Sequence, residues 1–239
     1  MTDFSIDKFC RWIFKPFLNS LEHPMIFTEY PFWIFFLFVL LGYSFLHKKP
    51  QIRSVFLFLI SLYFYFKTSG FFFSILLFST IVDFYLGKAI YKSKKDLTAK
   101  IVLWLSIASN LIILIYFKYA YFFTDSFNAI IGSDWHPINH FAELTNQFTG
   151  SSFRVDKILL PVGISFYTFQ TMSYSIDIYR KKLSPVKNIF DFGFYVSFFP
   201  QLVAGPIVRA SEFIPQIQKP YNISKQEFGM AIFWILNGL

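Results

Sequence analysis

Along the chain, long apolar runs alternate with short charged interruptions, and the runs outlast what a soluble helix needs. Four of them, at about Phe32 to Leu46, Ile52 to Phe66, Phe71 to Ile90 and Ile101 to Phe123, read as membrane-spanning helices. Some are short for a hydrocarbon core of roughly 30 Å, so flanking aromatics or a locally thinned bilayer must complete them. Residues 1–24 behave differently. Phe4, Ile6, Phe9, Trp12, Ile13, Phe14, Phe17 and Leu18 recur at near-helical spacing among Asp3, Asp7, Lys8, Arg11 and Lys15, the pattern of an amphipathic helix lying on a membrane surface. The connection from Thr124 to Asp156 exceeds an ordinary loop and carries Trp135, Phe141, Leu144, Phe148 and Phe153, which predicts interfacial helix within it. Pro161 stands near the start of a further helix, where its missing N–H costs little. Ser224-Lys-Gln-Glu227 is a capping box that predicts a helix from Lys225 onward. From there to Leu239 a helix covers about 22 Å, short of a full crossing. Gly238 capping a half-helix is one account, and a fragment of a longer membrane protein is the expectation favoured here.

Composition agrees with the pattern. Hydrophobic residues make up 55% of the chain, aromatic residues 23% and charged residues only 15%, with a mean hydropathy of +0.48, too little polar material to cover a soluble globule. The expected fold is all-α, a polytopic helical membrane domain with interfacial and re-entrant helices. The formal charge of +8 forms no continuous basic face, which argues against nucleic acid as a partner and for membrane lipid. Lys and Arg gather instead at the ends of apolar runs. Lys48, Lys49 and Arg53 follow the first run, Lys88, Lys92, Lys94, Lys95 and Lys100 surround Asp96, and Arg180, Lys181, Lys182 and Lys187 form a third cluster. By the positive-inside rule all three are cytoplasmic, and the acidic connection from Thr124 to Asp156 lies on the other side. These assignments alternate correctly when the N-terminus lies outside. The single cysteine, Cys10, rules out an internal disulfide and any multi-cysteine metal site. Residues 1–24 lack the long uncharged core of a cleavable signal, so sorting rests on the first spanning run.

The stretch from Leu160 to Pro215 sets Gln170, Asp177, Arg180, Gln201 and Arg209 among dense aromatics and breaks at Pro200, Gly205 and Pro206. Polar groups and broken backbone are both costly in lipid, so their combination suggests a site. Gln170, Ser173, Tyr174, Asp177 and Lys181 share one helical face, with Phe169, Met172 and Ile176 turned away. That face is either the polar wall of a passage, with Asp177 orienting a donor, or a helix end at which Asp177 pairs with Arg180 or Lys181. The segment Phe198 to Arg209 is too broken for an ordinary span; it reads as a re-entrant turn lining a cavity, against a simple loop with Arg209 reaching lipid phosphates. Asp83 with Ser79, and Ser106 with Asn110, are polar pairs one turn apart of the kind that glue helices together. His23, His47, His136 and His140 read as solvated, and Pro137 argues against a helical metal pair. The sequon at Asn222 is discounted, and no nucleophile elbow or phosphate-binding glycine loop is present.

LPVGISFYTFQTMSYSIDIYR followed by DFGFYVSFFPQLVAGPIVR closely resembles the membrane-bound O-acyltransferase (MBOAT) family, in particular its alginate O-acetyltransferase (AlgI-like) branch; SLYFYF, DFYLGKAI and NLIILIYFKYAYFF agree. The resemblance covers about Met25 to Leu239, the N-terminal half of a typical member, and makes residues 1–24 an N-terminal extension. It implies a multi-pass enzyme of the bacterial inner membrane that moves an acetyl group from a cytoplasmic donor, acetyl-CoA or an acyl carrier, toward a cell-surface polysaccharide such as alginate. A periplasmic acetyl-transfer protein is the implied partner, and no bound cofactor is implied. The family's essential histidine lies in an Arg-Arg-Trp-His-like motif in the second half, and no histidine here has that context. The chain is therefore expected to be catalytically incomplete, a truncated MBOAT core with no catalytic residue or metal site of its own. The motif positions carried over are Gln170, Asp177, Tyr179 and Arg180 from the first block and Gln201, Gly205, Pro206 and Arg209 from the second, all shaping the substrate passage. D-alanyl transfer as in the DltB-like branch, a transporter and a noncatalytic scaffold are the alternatives; against a transporter, the sequence contains no inverted repeat.

Overall fold

The structure, a computed structural model, describes residues 25, 27–149, 158, 160–219 and 224–238. Among them every regular element is helical. The amphipathic helix expected over residues 1–24 lies outside the described residues.

Helix α1 runs Tyr30–Leu46 and α2 runs Pro50–Ser69, each with proline in its first turn, where no helical hydrogen bond is lost. Gly70, at φ 58°, ends α2 by donating its N–H to the Phe66 carbonyl, and a single 3-10 turn, Gly70–Phe72, leads into α3, Phe73–Lys92. A short link precedes α4, Asp96–Leu114; a π turn, Ile115–Tyr119, then joins it to α5, Ala120–Ile131. Residues 50–92 and 96–131 are the helical runs long and apolar enough to cross a membrane, and α1 is a shorter apolar helix. The molecule is thus an all-α membrane protein.

Two boundaries differ from the sequence pattern. The second and third apolar runs are joined by a helical turn, and the fourth continues past Phe123 to Ile131. The polar residues after Phe123 stay helical because the stop lies later. Gly132 adopts the left-handed conformation (φ 71°) and donates its N–H to the Asn128 carbonyl, while the Asn128 side chain accepts from Ser133 Oγ at 2.8 Å and from the Trp135 N–H at 3.0 Å. Helix α6, His140–Thr149, supplies the expected helix within the long connection, and Phe141 packs on Phe72 and Phe117 with centroids 5.4 and 6.0 Å apart.

The remaining elements are α7, Ile164–Tyr179; α8, Ile189–Ser197; α9, Phe199–Ala204; α10, Ala210–Gln218; and α11, Lys225–Gly238. The capping box forms as read: the Ser224 N–H reaches Glu227 Oε2 at 2.8 Å, and the Glu227 N–H reaches Ser224 Oγ at 3.2 Å.

Helices α3, α4 and α7 pack on one another, while α2 and α3 together cover α8. On α2 the inward stripe is Ser54, Leu57, Phe58, Ser61, Phe64 and Tyr65, at the spacing of a single helix face. Phe64 also meets Phe35 of α1 and Phe199 of α9, with ring centroids 5.8 and 5.1 Å apart, an aromatic junction among three helices. Two glycines let neighbouring helices approach closely. A Cβ on Gly193 would lie 2.5 Å from the Phe58 ring, and one on Gly87 would lie 2.7 Å from the Tyr174 ring. Gly193→Leu is therefore expected to cost about 1–3 kcal/mol through overpacking, seen as a lower unfolding midpoint in detergent. Gly229→Leu, at a position open on all sides, should not lower it.

Candidate functional site

The polar centre of the molecule is the Asp83 side chain on α3, fully buried. Ser106 Oγ of α4 donates to its Oδ1 at 2.6 Å, and Asn110 Nδ2, one turn further, donates to its Oδ2 at 2.7 Å. Both residues in turn reach α7. Ser175 Oγ lies 2.8 Å from Ser106 Oγ, whose proton is committed to Asp83, so Ser175 is the donor; Thr171 Oγ1 donates to Asn110 Oδ1 at 3.0 Å. A carboxylate buried in an apolar bundle is tolerable only when its oxygens are satisfied, and three helices meet to satisfy this one. With both oxygens engaged, Asp83 acts as an anchor between helices. Thr171 and Ser175, also one turn apart, complete the spacing pattern that Ser106 and Asn110 begin.

The anchor orients α7. Gln170, Tyr174 and Asp177 are buried, Ser173 is half-buried and Phe169 is exposed, so the polar face read from the sequence does point inward. Lys181, just past the helix, is exposed in a left-handed conformation (φ 58°). Asp177 forms no ion pair with Arg180 or Lys181; its main-chain carbonyl instead receives the N–H groups of Lys182 and Leu183 and caps the helix. Tyr174 packs at a tilt against Phe192 with centroids 4.4 Å apart, and its hydroxyl accepts the Val186 N–H.

Opposite this face the chain is broken as the sequence indicated. Helix α8 stops at Phe198, α9 lasts six residues, and residues 205–209 are extended before α10. Side chains take up the main-chain groups these breaks release. Gln201 Nε2 donates to the Pro206 carbonyl at 2.9 Å, bridging the end of α9 to the extended stretch. Gly205 is required beside it, because a Cβ there would lie 2.6 Å from Gln201 Cα. Tyr195 of α8 shares its hydroxyl between the carbonyls of Val208, at 3.1 Å, and Gln170, at 3.4 Å. Tyr195, which sequence reasoning missed, therefore joins the two motif blocks. Its signal was only a tyrosine in an apolar run, with no polar neighbour to mark it. Thr168 on α7, Ser61 on α2 and Ser197 at the end of α8 have buried hydroxyls with no hydrogen-bond partner among the described residues.

Not every motif residue joins this group. Tyr179 donates to Asp96 Oδ1 at 3.3 Å and, with Lys94, Lys181 and Ser184, lines a separate cavity of 430 Å³ at the end of α7. Arg180, Pro206 and Arg209 are exposed, and Arg209 caps α10 with its main chain. His136 is solvated beside Asp134, 3.4 Å away. Among the described residues no group of His, Cys, Asp and Glu is placed to hold a metal ion.

Comparison with known proteins places these features in context. The chain is 34% identical over 214 residues to a protein of Azotobacter vinelandii named as a probable alginate O-acetylase, AlgI, and 34% identical over 211 residues to its namesake in Pseudomonas aeruginosa; each alignment covers 87% of this chain. A peptidoglycan O-acetyltransferase of Helicobacter pylori is 28% identical over 254 aligned positions, covering 95% of this chain. The chain spans only 39%, 38% and 44% of the respective lengths of these relatives. No family model and no solved structure matches it.

The anchor predicts a graded response to substitution. Asp83→Asn keeps polar atoms near both partners and should stay close to the parent in stability. Asp83→Ala strands Ser106 and Asn110 and should cost about 1–3 kcal/mol, measured as a fall in the unfolding free energy in mixed micelles.

Proposed function

We propose, on its 34% identity over most of its own length to probable alginate O-acetylases, that this chain belongs with the AlgI-like branch of the membrane-bound O-acyltransferases and forms part of an O-acetyltransferase that modifies a cell-surface polysaccharide. The observation that carries the reading is the 34% identity over 214 residues, which includes most of the chain in one alignment. In this reading the protein lies in the bacterial inner membrane as a multi-pass domain, 25–239, preceded by the amphipathic segment 1–24. The acetyl donor, acetyl-CoA or an acyl carrier, comes from the cytoplasm, and a periplasmic transfer protein hands the group to the polymer.

The residues divide the work by position. The inward face of α7, with Gln170 and Asp177, forms one wall of the passage. Gln201 and Gly205 form the opposite wall, held in its extended shape by the Gln201 and Tyr195 hydrogen bonds to main-chain carbonyls, and the exposed Pro206 and Arg209 flank its mouth. Tyr179 and Arg180, beside the 430 Å³ cavity and its lysines, form the cytoplasmic funnel, where positive charge favours an anionic donor. Transfer itself needs a base to take the proton of the acceptor hydroxyl while the acyl group leaves its carrier. None of the described residues is assigned that task; in this reading it falls to residues outside these 239. The alignment to the Helicobacter relative, which reaches 95% of the chain, favours peptidoglycan as the second candidate acceptor.

In the full-length protein, Asp177→Ala and Arg209→Ala are each expected to lower polymer acetylation about tenfold or more, equivalent to at least about 1.4 kcal/mol, at matched membrane levels. Unchanged acetylation in both variants would rule out the passage. Measuring O-acetyl groups on alginate and on peptidoglycan from the same cells separates the two acceptors. Single cysteines at Lys94 and Ser133 check the orientation: only position 133 should react with an impermeant reagent from outside.

A further inference from the structure

Counted from sequence, Arg53 is one of the loop charges next to Lys48 and Lys49. The structure buries it, 2% exposed, in the first turn of α2. Its guanidinium donates to the His47 carbonyl at 3.4 Å and to the Ile217 carbonyl of α10, and lies 5.5 Å from the centroid of the Tyr43 ring. These partners are dipoles and a ring face. Among the described residues no carboxylate pairs with it. The first turn of α2 contains no acidic residue either, so the positive end of the helix dipole adds to the same uncompensated charge. A buried cation in such surroundings is stabilised most by an anion brought to it.

The same three residues, Tyr43, Arg53 and Ile217, line part of a groove of 360 Å³. Apart from Gln216 beside Ile217, the rest of its wall is apolar, including Phe36 and Leu40 of α1, Leu57 of α2, and Phe198 and Pro200 at the break before α9. Phe36 lies about 10 Å along α1 from Tyr43 at about 1.5 Å per residue, so the groove extends away from its basic end as an apolar trough. Leu40 is half exposed, and Leu37, Phe38 and Leu41 beside it are exposed on the surface that a bilayer covers. Lys48 and Lys49, both exposed, flank the basic end.

We propose that this groove holds one anionic glycerophospholipid, its phosphate against Arg53 and Tyr43 and one acyl chain along α1 between Phe36 and Leu40. A free phosphate would leave the apolar trough unused, and a zwitterionic lipid would bring its phosphate together with a cation, leaving the net positive charge of Arg53, Lys48 and Lys49 in place. The site is distinct from the passage between α7 and residues 205–209, and it ties α2 to α10 through the groove that separates them. Anionic lipid bound there would couple the membrane's composition to the position of α10.

The test is native mass spectrometry of the full-length protein released from nanodiscs containing equal parts phosphatidylglycerol and phosphatidylcholine. One retained phosphatidylglycerol per protein is expected, favoured about tenfold over phosphatidylcholine, as the loss of one charge-assisted contact would imply. Arg53→Gln should abolish the preference. Leu40→Trp, which fills the trough from its exposed side and leaves Arg53 in place, should lower retention of phosphatidylglycerol about tenfold. Equal retention of the two lipids by the parent protein, or undiminished retention in Leu40→Trp, would overturn the proposal. The second result is decisive even if Arg53→Gln fails to insert.

Discussion

A carboxylate in the middle of an apolar bundle dictates how its neighbours must stand. Asp83 has no water to turn to, and Ser106 and Asn110 can reach its two oxygens only if α4 presents both from the same face at the same depth. Having done so, they offer their remaining hydrogen-bonding capacity to Ser175 and Thr171, and α7 is fixed in rotation as well as in position. Dispersion alone would hold these helices together but would permit sliding and turning. The polar chain removes that freedom, because any slip of a few ångströms leaves a buried charge or amide unpaired. Tyr174 over Gly87 works with it, allowing α7 to approach α3 closely enough for short hydrogen bonds.

Beyond α7 a different economy operates. Helices α8, α9 and α10 are short, and each break frees main-chain groups that lipid cannot satisfy. Tyr195, Gln201 and Arg53 supply the missing donors, each reaching a carbonyl at or next to a helix end. The irregular segment is therefore held by side chain to main chain bonds, which specify the path of the backbone more than the identity of the neighbouring side chains. Such a path suits a surface that lines a passage, where shape must persist while polar groups stay available.

Much of this was legible because membrane sequences leave little choice. The inward face of α7 followed from the three- and four-residue spacing of Gln170, Ser173, Tyr174 and Asp177, and the broken segment followed from Pro200, Gly205 and Pro206. Polar pairs at Ser106 and Asn110 signalled an interhelical contact, though their spacing could not name α7 as a partner. Arg53 shows where such reading fails. Charge counting assigns a basic residue at the end of an apolar run to solvent, whereas the burial of Arg53 is decided by a carbonyl 164 residues away. Asp177 beside Arg180 and Lys181 invited an ion pair for the opposite reason: proximity in sequence says nothing about where a helix cap sends the chain. The overrun of α5 to Ile131 depended on Asn128 and Gly132, whose stop signal lies beyond the last strongly apolar residue.

The π turn between α4 and α5 has a rotational consequence. Up to that point the buried residues Ala99, Leu103, Ser106, Asn110 and Leu114 form one straight seam against α3 and α7. A turn closed by bonds five residues apart holds one residue more than the helix around it, and each residue of an α-helix is about 100° of rotation. The run 96–131 is therefore continuous in its axis but out of phase across Ile115–Tyr119. Its first part is locked to the bundle, whereas α5 has no buried residue. One uninterrupted helix thus carries two independent faces, like a screw cut with two threads, and the outer segment can meet partners unrelated to those that fix the core.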